Sequence, residues 1–189
     1  MILRLVPFVA FLSLFSAKSE DWPQFGRDAS KNMVSPEKRL PLRLDPKHAD
    51  WVVKIGSKAF GNLVVGEGKI LIGTNNENPR DPRYTKGGKP IDKAVLLCLD
   101  AKTGKFLWQY AGRKNVARYT DPKKRGIISS AAIQDGRAYV YTNRATVTCF
   151  DLEGLKHGNQ GFKEELSYLS SKEHKLTSLS PSDPDVLWN

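Results

Sequence analysis

The side chains best placed to do chemistry in this 189-residue chain fall into four groups. The segment 97–110, LCLDAKTGKFLWQY, sets a carboxylate, a hydroxyl, a glycine, an ammonium and an indole close together at Asp100, Thr103, Gly104, Lys105 and Trp108. The segment 75–81 gathers Asn75, Asn76, Glu77, Asn78 and Asp81, oxygen donors of the kind calcium takes. Three histidines (His48, His157, His174) and two cysteines (Cys98, Cys149) complete the set.

Each group has to match the chemistry it would perform. Gly104-Lys105 is not a phosphate loop, because Leu99 stands where the first glycine belongs, Phe106 follows the lysine, and a strand comes next instead of a helix. The 75–81 segment lacks the spacing of a calcium-binding helix–loop–helix, and Asn, Asp and Pro are ordinary turn residues, so loop structure is expected. The histidines lie far apart in polar segments without metal-ligand spacing and are expected to face solvent. No Cys-x-x-Cys-His haem attachment site and no Gly-x-Ser-x-Gly elbow occurs. The 97–110 segment then reads as structure. Asp100 accepts hydrogen bonds from backbone N–H groups or Thr103, Gly104 closes the loop in a left-handed conformation with a bulge, and Lys105 opens the outgoing strand.

The elements that must position these groups emerge from a repeat. Residues 62–75 align without gaps to residues 130–143, pairing Gly68 with Gly136 and Thr74-Asn75 with Thr142-Asn143. Each copy reads as strand, tight glycine turn, strand. Residues 95–100 then match 146–151, and the FLW of 106–108 matches the VLW of 186–188. The expected strands are 62–66, 69–75, 94–100 and 105–110, then 128–133, 137–143, 146–151 and 185–189. Residues 50–52 are an earlier candidate for the same last strand, and 163–169 is the best short helix. Insertions at 76–93 and 152–184 absorb the unequal shifts and, from strand alternation, should decorate opposite ends.

Four-stranded meanders in tandem point to an all-β chain, a β-propeller of four-stranded antiparallel blades with about two blades present. Residues 95–99 and 69–73 are apolar on both faces, as in a sheet buried between neighbours. Trp108, on an outer strand, would fill the wedge between blades, where a ring of its size buries roughly 150–250 Å². Cys98 and Cys149 hold equivalent positions in facing sheets about 10 Å apart, too far for a disulfide, so free buried thiols are expected.

The run 98–108, with Asp100, Thr103, Gly104, Lys105 and Trp108, resembles the pyrroloquinoline-quinone-type (PQQ-like) β-propeller repeat and its Asp-x-x-Thr-Gly-x-x-x-Trp hairpin. Asp21-Trp22-Pro23-Gln24-Phe25 is similar to the opening of many secreted members from environmental bacteria, and 74–82 looks like their second-strand loop. The second copy keeps Asp151 and Gly154, but a long insertion separates them from Trp188. The resemblance implies a fold, and it implies a cofactor only for the quinoprotein dehydrogenases, which use adjacent paired cysteines, calcium and a catalytic aspartate. No Cys-Cys pair exists here, no catalytic or calcium-binding position can be matched, and no cofactor is predicted. The expected function is a non-catalytic binding or scaffold module of the bacterial cell envelope. The alternative is the N-terminal part of a PQQ-dependent dehydrogenase whose catalytic blades lie elsewhere, and a third reading is a truncated product without function of its own.

Arg4, the apolar run 5–15, and Ala17 and Ser19 at the −3 and −1 positions form a secretory signal pattern, with cleavage expected after Ser19. Export to periplasm or exterior follows, and at most a peripheral membrane association. Without residues 1–19 the chain keeps 28 basic against 20 acidic residues, a surplus that suits an anionic polysaccharide or an envelope protein. Export argues against nucleic acid, and the basic triplet 123–125 reads as a solvated loop. The expected organisation is a signal peptide (1–19), an N-terminal segment with a strand of a neighbouring blade (20–60), a first blade (61–112) and a second (126–189). The second stops inside its last strand, so the chain is expected to be a fragment.

Overall fold

The computed structural model describes residues 20–38, 42–43, 45–114, 123–171 and 174–189. The expected signal segment, with its cleavage after Ser19, lies outside the described residues. In chain order the strands are β1 (Val64–Gly66), β2 (Lys69–Asn75), β3 (Thr85–Lys86), β4 (Lys89–Pro90), β5 (Ala94–Asp100), β6 (Phe106–Gly112), β7 (Ala132–Gln134), β8 (Arg137–Tyr141), β9 (Val147–Asp151) and β10 (Val186–Trp188). The first sheet runs β1-β2-β5-β6 and the second β7-β8-β9-β10, both antiparallel meanders, with β3–β4 a small separate hairpin. The helix expected at 163–169 is the single turn α1 (Glu165–Leu169).

The two copies share their turn chemistry. Glu67 and Gly68 have φ of 50° and 75°, and Asp135 and Gly136 have 51° and 71°. Two successive left-handed residues make the turn whose twist matches that of the flanking strands. β7 begins later than expected, because the residues before it serve another neighbour. The Asn62 N–H donates to Ser130 Oγ at 2.9 Å, and Ile127 is buried over Gly73.

The main core lies between the sheets, where Leu71, Leu96 and Trp108 meet Ile133, Val140 and Phe150. At the β1/β7 edge the sheets nearly touch, and a Cβ on Gly66 would lie 3.2 Å from Ile133. Toward β6 and β9 the gap is filled by rings, with Phe150 centred 5.9 Å from Trp108 and 5.3 Å from Tyr110. The other face of sheet one is also closed. Val95, Leu97 and Ala111 lie under Tyr84, with Ile55 and Leu176 packed against them. That cover comes from loops, where the apolar run alone had suggested a neighbouring sheet.

The N-terminal segment differs from expectation. Residues 50–52 join no ladder, whereas Trp22 bridges Val65 through backbone bonds of 2.7 and 3.0 Å. Pro23 O accepts the Ile133 N–H at 2.8 Å, so adjacent residues tie the edges of both sheets.

The insertions also differ: they do not stay at opposite ends. Residues 76–93 leave at the Asn75/Ala94 end, and 152–184 begin beside Asp151 at the other. The second insertion then runs the length of β6. Trp108 Nε1 donates to Leu152 O at 2.9 Å, Gln109 N to Ser182 O at 2.9 Å and Arg113 N to Tyr168 O at 3.1 Å. β6 is an edge strand whose outward N–H groups need acceptors, and the insertion supplies them.

Candidate functional site

The hairpin motif that dominates the sequence is fully occupied by its own fold. Asp100 Oδ1 accepts from Thr103 N at 2.8 Å and from the Thr103 hydroxyl at 2.6 Å, and these bonds hold its carboxyl below the usual range. Gly104, at φ 68°, donates to Asp100 O at 2.9 Å, and Lys105 O accepts the Asp100 N–H at 2.8 Å. Gly104 and Lys105 thus stand together opposite Asp100, which is the expected bulge, and the register slips again between Phe106 and Trp108. Trp108 is buried against the second sheet, and Asp151 caps its own turn through Glu153 N at 2.7 Å. Trp188, the counterpart of Trp108, is 40% exposed and leans on Tyr139.

Both cysteines are free thiols buried in the sheets, and desolvation pushes Cys98 up to about 12, which leaves it a poor nucleophile.

Polar side chains converge instead where the insertions meet. Asp81 caps a short 3₁₀ turn over Pro82–Tyr84 and binds Arg83 at 2.7 Å. The same guanidinium reaches Asp183 at 2.8 Å, and Asp183 also accepts from Ser180 N at 2.8 Å and from the Tyr84 hydroxyl at 3.4 Å. Burial alone would raise Asp81, but the Arg83 side chain and backbone N–H outweigh it and hold the carboxyl low. Burial, seconded by Asp183, drives the Tyr84 phenol well above its ordinary value. His174 is not the solvent-facing residue expected. Its Nε2 lies 2.6 Å from Arg83 O, its ring is centred 5.7 Å from that of Tyr84, and burial, then Lys93, lower its basicity. Lys93 is itself buried and donates to Leu169 O. This clasp joins residues about a hundred positions apart, and its carboxylates and guanidinium are engaged with one another, while His174 Nδ1 is buried without a hydrogen-bond partner.

Next to it opens a cleft of about 280 Å³ between residues 89–92 and 123–124, floored by 75–77. The Ser57 hydroxyl and Lys124 hold Glu77 below the usual carboxylate range, with Lys124 at 2.9 Å. Asp92 accepts the Lys124 backbone N–H at 3.1 Å and pairs with Lys114 at 3.6 Å. Both carboxylates on the cleft are therefore neutralised by the protein.

No family model matches this chain, and no curated protein matches it.

Two of the oxygen donors in the 75–81 segment, those of Asn75 and Asp81, are engaged within the protein. Asn75 Oδ1 accepts from Ser57 N at 3.0 Å, the Asn76 amide donates to Tyr84 O and Ile91 O, the Asn78 amide donates to Lys54 O, and Asp81 is bound to Arg83. Among the described residues no three His, Cys, Asp or Glu side chains converge on a point. Cys98 and Cys149 lie in separate sheets, so the paired-cysteine feature of quinone sites has no counterpart here. Sequence reading missed Arg83, Tyr84, Lys93 and Asp183. The Asp-Pro pairs at 81–82 and 183–184 marked two turns, but nothing marked that they meet.

Proposed function

We propose that the chain is an exported PQQ-like β-propeller repeat protein acting as a non-catalytic binding or scaffold module of the bacterial cell envelope. One observation carries the propeller reading. A Cβ on Gly154 (φ 62°) would lie 2.8 Å from the Trp108 ring, and a Cβ on Gly104 (φ 68°) would lie 2.6 Å from the Trp51 ring. In both cases the tryptophan that precedes a unit rests on the left-handed glycine of that unit's turn. The relation is thus transmitted from one repeat to the next, as stacked blades require. Trp51 takes the position of a preceding blade's tryptophan without belonging to a ladder. Trp188 presents the same ring outward. The near contact at Gly66 and the rings around Phe150 agree with a gap that widens away from an axis.

The non-catalytic reading is supported by the occupied hairpin motif and by the mutual engagement of the clasp's carboxylates and guanidinium. Titrating the full-length protein with the quinone and calcium, followed by quinone fluorescence and dye-linked oxidation of alcohols and sugars, tests it. No saturable binding and no turnover is the expected result. Turnover would establish the dehydrogenase alternative. Amino-terminal sequencing of the exported protein should begin at Glu20.

A further inference from the structure

The charge of this molecule is not spread evenly over its ends. The loops at the clasp end, residues 76–93, 113–114 and 123–125, hold ten Lys and Arg, of which only Lys93 is buried, against three carboxylates of their own and Asp183, which Arg83 binds. The turns at the opposite end, residues 67–69, 100–105, 135–137 and 151–156, hold five against five. The cleft lies in the middle of the basic end. Its two carboxylates are engaged, while Lys89 on one bank and Lys123 on the other are exposed and pair with no carboxylate among the described residues. Lys86 stands opposite Lys89 in the β3–β4 hairpin, which projects a second exposed ammonium beside the first.

We propose that this end is a docking surface for an anionic polysaccharide, with Lys89 and Lys123 on the two banks of the cleft as its central contacts. The proposal rests on the binding-module reading and names the partner class. A concave site with Pro90 and Ile91 in its lining suits the C–H faces of sugar rings, and the exposed ammonium groups suit their carboxylates or sulfates. Nucleic acid would call for aromatic stacking platforms, and among the described residues the cleft lining contains no aromatic ring. A bilayer would call for a projecting apolar anchor, whereas the cleft is recessed.

The test measures binding of the full-length protein to polygalacturonate, neutral dextran, phosphatidylglycerol vesicles and oligo-dT at low and raised salt. Polygalacturonate should bind and dextran should not, with log affinity falling linearly with log salt, as for polyanions that shed counterions. The pair Lys89→Gln/Lys123→Gln should weaken binding at least tenfold. The pair Lys102→Gln/Lys105→Gln removes the same charge at the opposite end and should leave binding unchanged. All four lysines are exposed, and circular dichroism checks that both variants keep the fold. Equal weakening by the two pairs, tighter binding to vesicles or oligo-dT, or no polygalacturonate binding overturns the proposal. Those outcomes leave the non-catalytic reading standing, because only quinone-dependent turnover removes it.

Discussion

The two sheets share strand order and turn conformation and end in different surroundings. Sheet one is closed on both faces, by sheet two and by Ile55, Tyr84 and Leu176 from the loops. Sheet two is closed on one. On its other face Tyr141 is 54% exposed, Val147 49% and Trp188 40%, with Tyr139 and Trp188 in contact at 6.0 Å between ring centroids. The comparison separates what a unit encodes from what its neighbours supply. Strand order, turn conformation and the buried cysteine recur in both. Burial of the final tryptophan does not recur: Trp108 lies against Gly154, and Trp188 is partly exposed.

The strongest way to break this comparison is to remove the ring on each side. Trp108→Ala deletes a buried indole together with its bond to Leu152 O and should cost about 3–5 kcal/mol in denaturant unfolding. Trp188→Ala should cost about 1 kcal/mol or less, since its ring is already partly in water. Similar losses at both positions would mean that sheet two is covered as well as sheet one.

Next in size is the clasp that covers sheet one's second face. Arg83→Met leaves Asp183, which has no solvent exposure, without its cation, and a partly exposed pair of this kind should cost about 2–3 kcal/mol. The double variant Arg83→Met/Asp183→Asn should recover part of that loss, because the stranded charge is gone. An unchanged midpoint in the single variant would mean that the insertions do not hold each other.

Much of the strand and turn pattern was legible in the residues, and the clasp was not. Apolar alternation and glycine turns are local signals, so β2, β5 and β8 begin where the pattern places them and both Glu67-Gly68 and Asp135-Gly136 are tight turns. The double-sided apolar run of β5 announced burial on both faces, but not that loops would cover the second. The contact between Arg83 and Asp183 follows from an insertion long enough to run along β6, and length carries no direction. His174 looked solvated for the same reason: its neighbours in sequence are polar, and its neighbours in space belong to the other insertion.

Glycine substitutions sharpen the ring-on-turn relation. Gly68→Ala and Gly136→Ala put a Cβ into open space, so each carries only the left-handed backbone penalty of about 1–2 kcal/mol. Gly104→Ala and Gly154→Ala carry that penalty and also press on Trp51 and Trp108. They should therefore be the more costly pair in thermal or denaturant unfolding. Four equal losses would remove the packing relation on which the blade reading stands.

The smallest effect concerns pH and tests whether sheet one's loop cover can be loosened without removing a residue of the core. Burial and the nearby Lys93 keep the His174 value below the ordinary 6.5, so the folded protein holds the ring neutral while the unfolded chain takes up a proton first. The resulting stability is complete above about pH 6.5 and is lost as pH falls from there through the folded value. Asp81, also held low, acts in a separate and more acidic window, because its contribution is lost only as pH falls below about 3.9 through its own depressed value. Between those windows His174 supplies the slope from the clasp. His174→Gln keeps an N–H for Arg83 O and cannot titrate, so its unfolding free energy should vary less between pH 7 and pH 5 than that of the parent. An identical slope in the two proteins would show that His174 is not held in the folded chain as a neutral donor to Arg83.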